Sequence, residues 1–219
     1  MNNIYQFITG PLTWTAILVL LLGMIFRMAM TFGKNMAKER HILTYLSWKY
    51  GLRSIVHWII PFVAATWRRH PLLTLTTFLF HVSVLALPLF LCAHMVLIEQ
   101  SWGLTWWTLP EVAAQLMGGV VLISCLFFLF RRILSQEIRY ISTPRDYLLL
   151  LAVAMPFLTG FPAYYQWYGY TVWVMLHVCS GVVLMMIIPF SRLSHMMFFW
   201  FTRAYTGSEF GAVRYSKDW

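Results

Sequence analysis

Five long apolar runs, set apart by shorter polar or basic segments, constrain this chain more than any other feature. They lie at about 11–30, 72–97, 112–130, 147–165 and 171–190. A helix needs roughly 20 apolar residues to cross a hydrocarbon core about 30 Å thick. Each run meets that length. With their connections they use up most of the 219 residues, so no large soluble domain remains. Only 11% of the residues are charged, where a soluble domain has about 25%. The predicted fold is an all-α membrane protein: a five-transmembrane-helix bundle that forms a single domain over 1–219.

The connections carry a directional signal. All 16 Lys and Arg fall in three segments: 27–69, 131–145 and 192–217. The N-terminus and the loops at 98–111 and 166–170 have none. Positive charge gathers on the cytoplasmic side of a bacterial inner membrane, so the pattern predicts a multi-pass protein with its N-terminus outside and its C-terminus cytoplasmic. This segregation also accounts for the net charge of +9 without nucleic acid. Trp102, Trp106, Trp107, Trp167 and Tyr168 sit at the predicted outer boundary, where aromatic side chains favour the headgroup level. Met1–Gly10 lacks the positive charge of a signal peptide's first region. Within the cytoplasmic loop 31–71, the segment Gly51–Ile60 is apolar but short and stops at Pro61, so it reads as an interfacial helix. Residues 191–219 read as a cytoplasmic tail. Cys92, Cys125 and Cys179 each lie in an apolar run and form no CxxC pair, which predicts buried small apolar residues.

The chemistry concentrates in histidine. A neutral imidazole in hydrocarbon still has a donor and an acceptor to satisfy. His81 and His94 fall on the second run, and His177 and His195 on or beside the fifth. An interval of 18 residues is five full turns of an ideal helix, which puts His177 and His195 on one face roughly 27 Å apart. Haem iron takes two axial ligands, and imidazole is a common one. Two antiparallel helices with two histidines each therefore suit two bis-histidine sites, His94 with His177 near the outer face and His81 with His195 near the inner. His81 and His94, 13 residues apart, are about 140° off a common face of an ideal helix. Pro88 between them is where a kink would re-aim His94. His70 is the alternative partner for this helix, 11 residues before His81 and nearly on its face. His41 and His57, in the basic loop, read as solvated or interfacial.

At this point the residues resemble a known family. Leu176-His177-Val178-Cys179-Ser180-Gly181, together with Pro189-Phe190-Ser191-Arg192-Leu193-Ser194-His195, is similar to the last span of the respiratory nitrate reductase gamma subunit, a membrane cytochrome b. Leu79-Phe80-His81 resembles that family's first helix-two ligand, His94 matches its second at a longer spacing, and Ser142-Thr143-Pro144-Arg145-Asp146 resembles the approach to its fourth span. The long basic first loop and the helix-two spacing favour the branch found in the transmembrane redox complexes of sulfate reducers (Hmc, Tmc and Dsr types). The resemblance implies two haem b groups held by His81, His94, His177 and His195. It also implies electron exchange between a cytoplasmic iron–sulfur subunit and an outer-side partner, either a quinone such as menaquinone or a periplasmic multihaem cytochrome c, within an assembly containing other membrane subunits. One departure concerns the quinone. The family's quinone-binding lysine after Glu-Val at the start of helix three is here Ala113, following Glu111-Val112. Glu99 and Gln100 are then the candidate quinone contacts, with Glu99 a candidate proton acceptor. Two other uses of the histidines stay open: a proton relay in a transporter, and a haem-free anchor for soluble subunits. The relay predicts carboxylates in mid-span, and the spans have none.

Overall fold

The computed structural model describes residues 2–38 and 44–219. Among them are five helices long and apolar enough to cross a membrane: Asn3–Lys34, Pro71–Phe90, Glu111–Leu134, Pro144–Tyr164 and Tyr170–Ile187. No strand occurs among the described residues. Large apolar side chains on these helices, such as Leu22, Phe26, Leu116 and Ile123, are exposed. In water that would be costly; against lipid it is expected. The chain is thus an all-helical, multi-pass membrane protein.

The elements in order are α1 (Asn2–Phe7), α2 (Thr13–Lys38), α3 (Trp48–Ile59), α4 (Ala65–Arg69), α5 (Pro71–Phe90), α6 (Cys92–Trp102), α7 (Glu111–Leu134), α8 (Gln136–Ile141), α9 (Pro144–Tyr164), α10 (Tyr170–Ile187) and α11 (His195–Ser208). They fall into two compact units, one made of residues up to Thr74 with Gly181–Trp219, the other Leu75–Ser180.

In the first unit the leading span starts earlier than the apolar run suggests. Helices α1 and α2 join through a π-helical turn, Ile8–Leu12, which accommodates Pro11 inside the helix. Such turns absorb an interruption without ending a helix. The hydroxyls of Thr9, Thr13 and Thr15 donate to the carbonyls of Tyr5, Ile8 and Pro11, which satisfies oxygens that lipid would leave bare. The segment expected as an interfacial helix is helical as α3, beginning three residues before Gly51. Its Gly51 and Ser54 are buried, while Trp48, Leu52, Val56 and Ile59 form an exposed apolar stripe. The buried face meets α11. A Cβ on Gly207 would lie 2.4 Å from Ser54 Cβ, and one on Gly211 would overlap the Tyr50 ring, so only glycine permits this approach. The backbone N–H of Ser47 donates to Ser208 Oγ, and that hydroxyl donates to Ala204 O. Residues 216–219 close over the pair: Ser54 donates to Asp218, Trp58 Nε1 donates to its carbonyl, and Arg203 Nη1 lies 3.9 Å from its carboxylate. The segment expected as a cytoplasmic tail is therefore a helix with a folded-back end.

In the second unit, Val121 and Cys125 on α7 and Ala154 on α9 form a core that Phe80, Val84, Leu122, Leu150 and Phe157 complete. Helix α9 begins with a capping box: Thr143 N–H donates to the Asp146 carboxylate at 2.8 Å, and the backbone N–H of Asp146 donates to the Thr143 side chain. This satisfies donors that a helix start otherwise leaves open. Of the three cysteines expected to be buried, Cys125 is, Cys179 is half-buried and Cys92 is exposed. The second apolar run ends its regular helix at Leu91, and Cys92 opens the next segment.

Candidate functional site

The second span is not one helix. Leu91 is extended (φ −73°, ψ 130°) and separates α5 from α6. In a continuous helix the carbonyls of Leu89 and Phe90 would accept from Ala93 and His94. Here the indole N–H of Trp106 donates to Leu89 O at 2.9 Å, and the backbone N–H of Leu109 donates to Phe90 O at 2.8 Å. Trp107 stacks on the Phe90 ring. The loop that follows α6 thus stabilises the break, and the break, rather than a kink at Pro88, changes the angular phase of His94. The ~140° offset of an ideal helix therefore does not apply.

The result brings His94 and His177 together. Their ring centroids are 5.9 Å apart and their planes are 14° from parallel. Two imidazoles bound to one metal from opposite sides, with metal–nitrogen bonds of about 2 Å, have centroids roughly 6 Å apart. His177 is held from behind. Its Nδ1 lies 2.8 Å from the carbonyl of Pro156. A carbonyl only accepts, so Nδ1 carries the hydrogen and Nε2 keeps the lone pair a metal needs. Metal-binding histidines ordinarily have such an outer partner. Gly160, one turn beyond Pro156, lies under the same ring; a Cβ there would sit 3.2 Å from both Cε1 and Nδ1. Ser180 and Thr159 hold hydroxyls 3.3 Å apart beside it. On the other side, the Leu87 and Pro88 carbonyls lie close to the His94 ring, yet its buried Nδ1 makes no hydrogen bond of acceptable geometry. A buried imidazole nitrogen without a partner is costly. The spacing of the two rings and the free Nε2 of His177 fit a group bound between two imidazoles. Among the described residues no cluster of three or more His, Cys, Asp or Glu could hold a metal ion, so the pair lacks the four ligands of a structural zinc site.

His81 and His195 show the same local device. His81 Nδ1 lies 2.7 Å from Thr77 O and His195 Nδ1 2.9 Å from Arg192 O. His81 belongs to the Leu75–Ser180 unit and His195 to the other. The expectation that His177 and His195 share one straight helix does not hold. Helix α10 ends at Ile187, the chain turns through 188–191, and His195 is the first residue of α11. Pro189, which has no N–H to donate, stands in that turn. The five-turn projection therefore says nothing about their relative direction. His70 is exposed at the end of α4. His57 is half-buried, with its ring 3.8 Å from that of Trp219. His41 lies outside the described residues.

Glu99 and Gln100 are exposed on α6. A polar cluster that the sequence reading missed lies elsewhere in the same unit. Tyr164 donates to Glu111, Gln115 Nε2 lies 3.2 Å from Tyr164 Oη, and Tyr165 donates to Gln115 Oε1 at 3.1 Å. The signal was present in the Glu111–Gln115 spacing of four, which places both on one helical face. The Tyr partners depend on how α9 packs on α7.

No family model matches the chain. A protein of Nitratidesulfovibrio vulgaris (strain Hildenborough), described only as "Protein", is 30% identical over 216 residues, spanning 96% of this chain and 95% of that one. The chain belongs to the same family as that Nitratidesulfovibrio protein.

Proposed function

We propose that this chain is a diheme b-type cytochrome subunit of a bacterial inner-membrane redox complex. The observation that carries the reading is the near-parallel His94–His177 pair, with Nδ1 of His177 tied to Pro156 O. His94 and His177 would hold the outer group; His81 and His195, assigned from the sequence, would hold the inner. Haem bound between two imidazoles supplies reversible one-electron exchange. The protein's part is to keep each Nε2 deprotonated, which the carbonyls of Pro156, Thr77 and Arg192 do by accepting from Nδ1 of His177, His81 and His195. The Lys and Arg distribution supports an outer N-terminus and a cytoplasmic C-terminus. The partners are a cytoplasmic iron–sulfur subunit on the basic segments and, on the outer side, a quinone or a periplasmic multihaem cytochrome c. Glu99 and Gln100 are candidate quinone contacts, and Glu111 a second carboxylate on that side to take up protons.

The test is a reduced-minus-oxidised spectrum with a pyridine haemochrome count on the protein purified in detergent. The expected result is two b haems per chain, falling to one in His94→Ala and in His177→Ala. A wild-type protein without a Soret band would end the electron-transfer reading and leave the anchor or the proton relay.

A further inference from the structure

A groove runs along α2 in the first unit. Thr15, Leu18, Val19 and Leu22 line one end, and Gly23, Phe26 and Phe190 are shared with a second stretch that ends at Arg27, Thr31 and Lys34. The two stretches have volumes of about 370 and 390 Å³. The groove exists because α2 comes very close to the turn after α10. A Cβ on Gly23 would lie 2.8 Å from Pro189 Cγ and 2.9 Å from its Cβ, so a side chain there would push the turn away. The same turn fixes Arg27, whose Nη1 donates to Pro189 O at 2.6 Å and Ser191 O at 3.1 Å.

The lining is segregated by chemistry. Leu18 to Phe26 is eight residues, roughly 12 Å of helix, close to the depth of one leaflet of a ~30 Å hydrocarbon core. That length is apolar. Immediately beyond it come two cations, Arg27 and Lys34, with Met30 and the Thr31 hydroxyl between them. Arg27 spends one amino group on the two carbonyls, and a guanidinium carries five N–H donors in a fixed fork suited to phosphate. Lys34 is exposed and presents a second positive charge about two turns further on. A zwitterionic headgroup brings its own cation to this end; an anionic one does not.

We infer that this groove is a binding site for an anionic phospholipid, with an acyl chain along Leu18–Phe26 and the phosphodiester between Arg27, Thr31 and Lys34. The site is independent of haem, because none of its residues belongs to either histidine pair.

The test is native mass spectrometry of the full-length detergent-purified protein, delipidated and titrated with dioleoyl-phosphatidylglycerol or dioleoyl-phosphatidylcholine. The wild type should bind one phosphatidylglycerol about ten times more tightly than phosphatidylcholine. Lys34→Gln should remove most of that preference without changing the melting temperature, since Lys34 lies outside the Pro189 contact. Leu22→Trp, which fills the apolar end, should weaken both lipids. Equal affinity for the two lipids, or an undiminished preference in Lys34→Gln, would overturn the site. Loss of the preference in the presence of 10 mM inorganic phosphate would also overturn it, by assigning the cations to a soluble anion.

Discussion

Gly160→Ala separates the His177 support from general stability. The added Cβ would lie 3.2 Å from Cε1 and Nδ1 of His177, a few tenths of an ångström inside ordinary contact, so the ring must move. Motion away from α9 stretches the 2.8 Å bond from Nδ1 to Pro156 O. A hydrogen bond of this kind contributes about 1 kcal/mol. Against it, replacing glycine by alanine inside a helix gains about 1 kcal/mol. The two nearly cancel, so the thermal unfolding midpoint should move by only a few degrees. On the proposed haem reading the His94–His177 site should respond far more, because loss of a partner behind a ligating histidine typically costs about 10–100-fold in metal affinity or activity. The assay is a redox-poised optical titration with haem counting after a detergent wash. The expected outcome is one haem component lost or shifted in potential and the other unchanged. Two haems with wild-type potentials, or equal loss of both along with a lowered melting temperature, would refute the reasoning.

Three further outcomes follow from the packing. Trp106→Phe removes the indole donor to Leu89 O and should cost about 0.5–1.5 kcal/mol, with a spectral change confined to the His94–His177 component; melting and difference spectra check both. Gly207→Ala forces a methyl within 2.4 Å of Ser54 Cβ and 2.6 Å of the Tyr50 carbonyl, so it should destabilise the α3–α11 contact by about 1–3 kcal/mol, read as faster proteolysis of the 209–219 segment. Thr143→Ala dismantles the capping box at the start of α9 and should cost roughly 1 kcal/mol in thermal unfolding while leaving the redox spectrum as it was.

Much of the candidate site was legible in order but not in geometry. The 13-residue interval between His81 and His94 conflicts with a straight helix, and that conflict pointed to an interruption near Pro88. It did not locate Leu91, because the break depends on Trp106 and Leu109, which come back to it from a loop. The 18-residue interval misled for a related reason: projection assumes a continuous helix, and the turn at 188–191 divides it. The Glu111–Gln115 pair was visible at helical spacing, while Tyr164 and Tyr165 joined it only through the packing of α9 on α7.

The five spans were determined by the sequence alone, because a run of about 20 apolar residues satisfies its own backbone in lipid whatever its neighbours do. That α3 is a short helix of its own was readable too, since its apolar stretch is short and ends at a proline. Tertiary structure decided which face of α3 is buried, where α5 gives way to α6, and that His94 meets His177. Those outcomes depend on close approaches at Gly51, Gly160 and Gly207 and on hydrogen bonds between residues far apart in the chain, which no local pattern specifies.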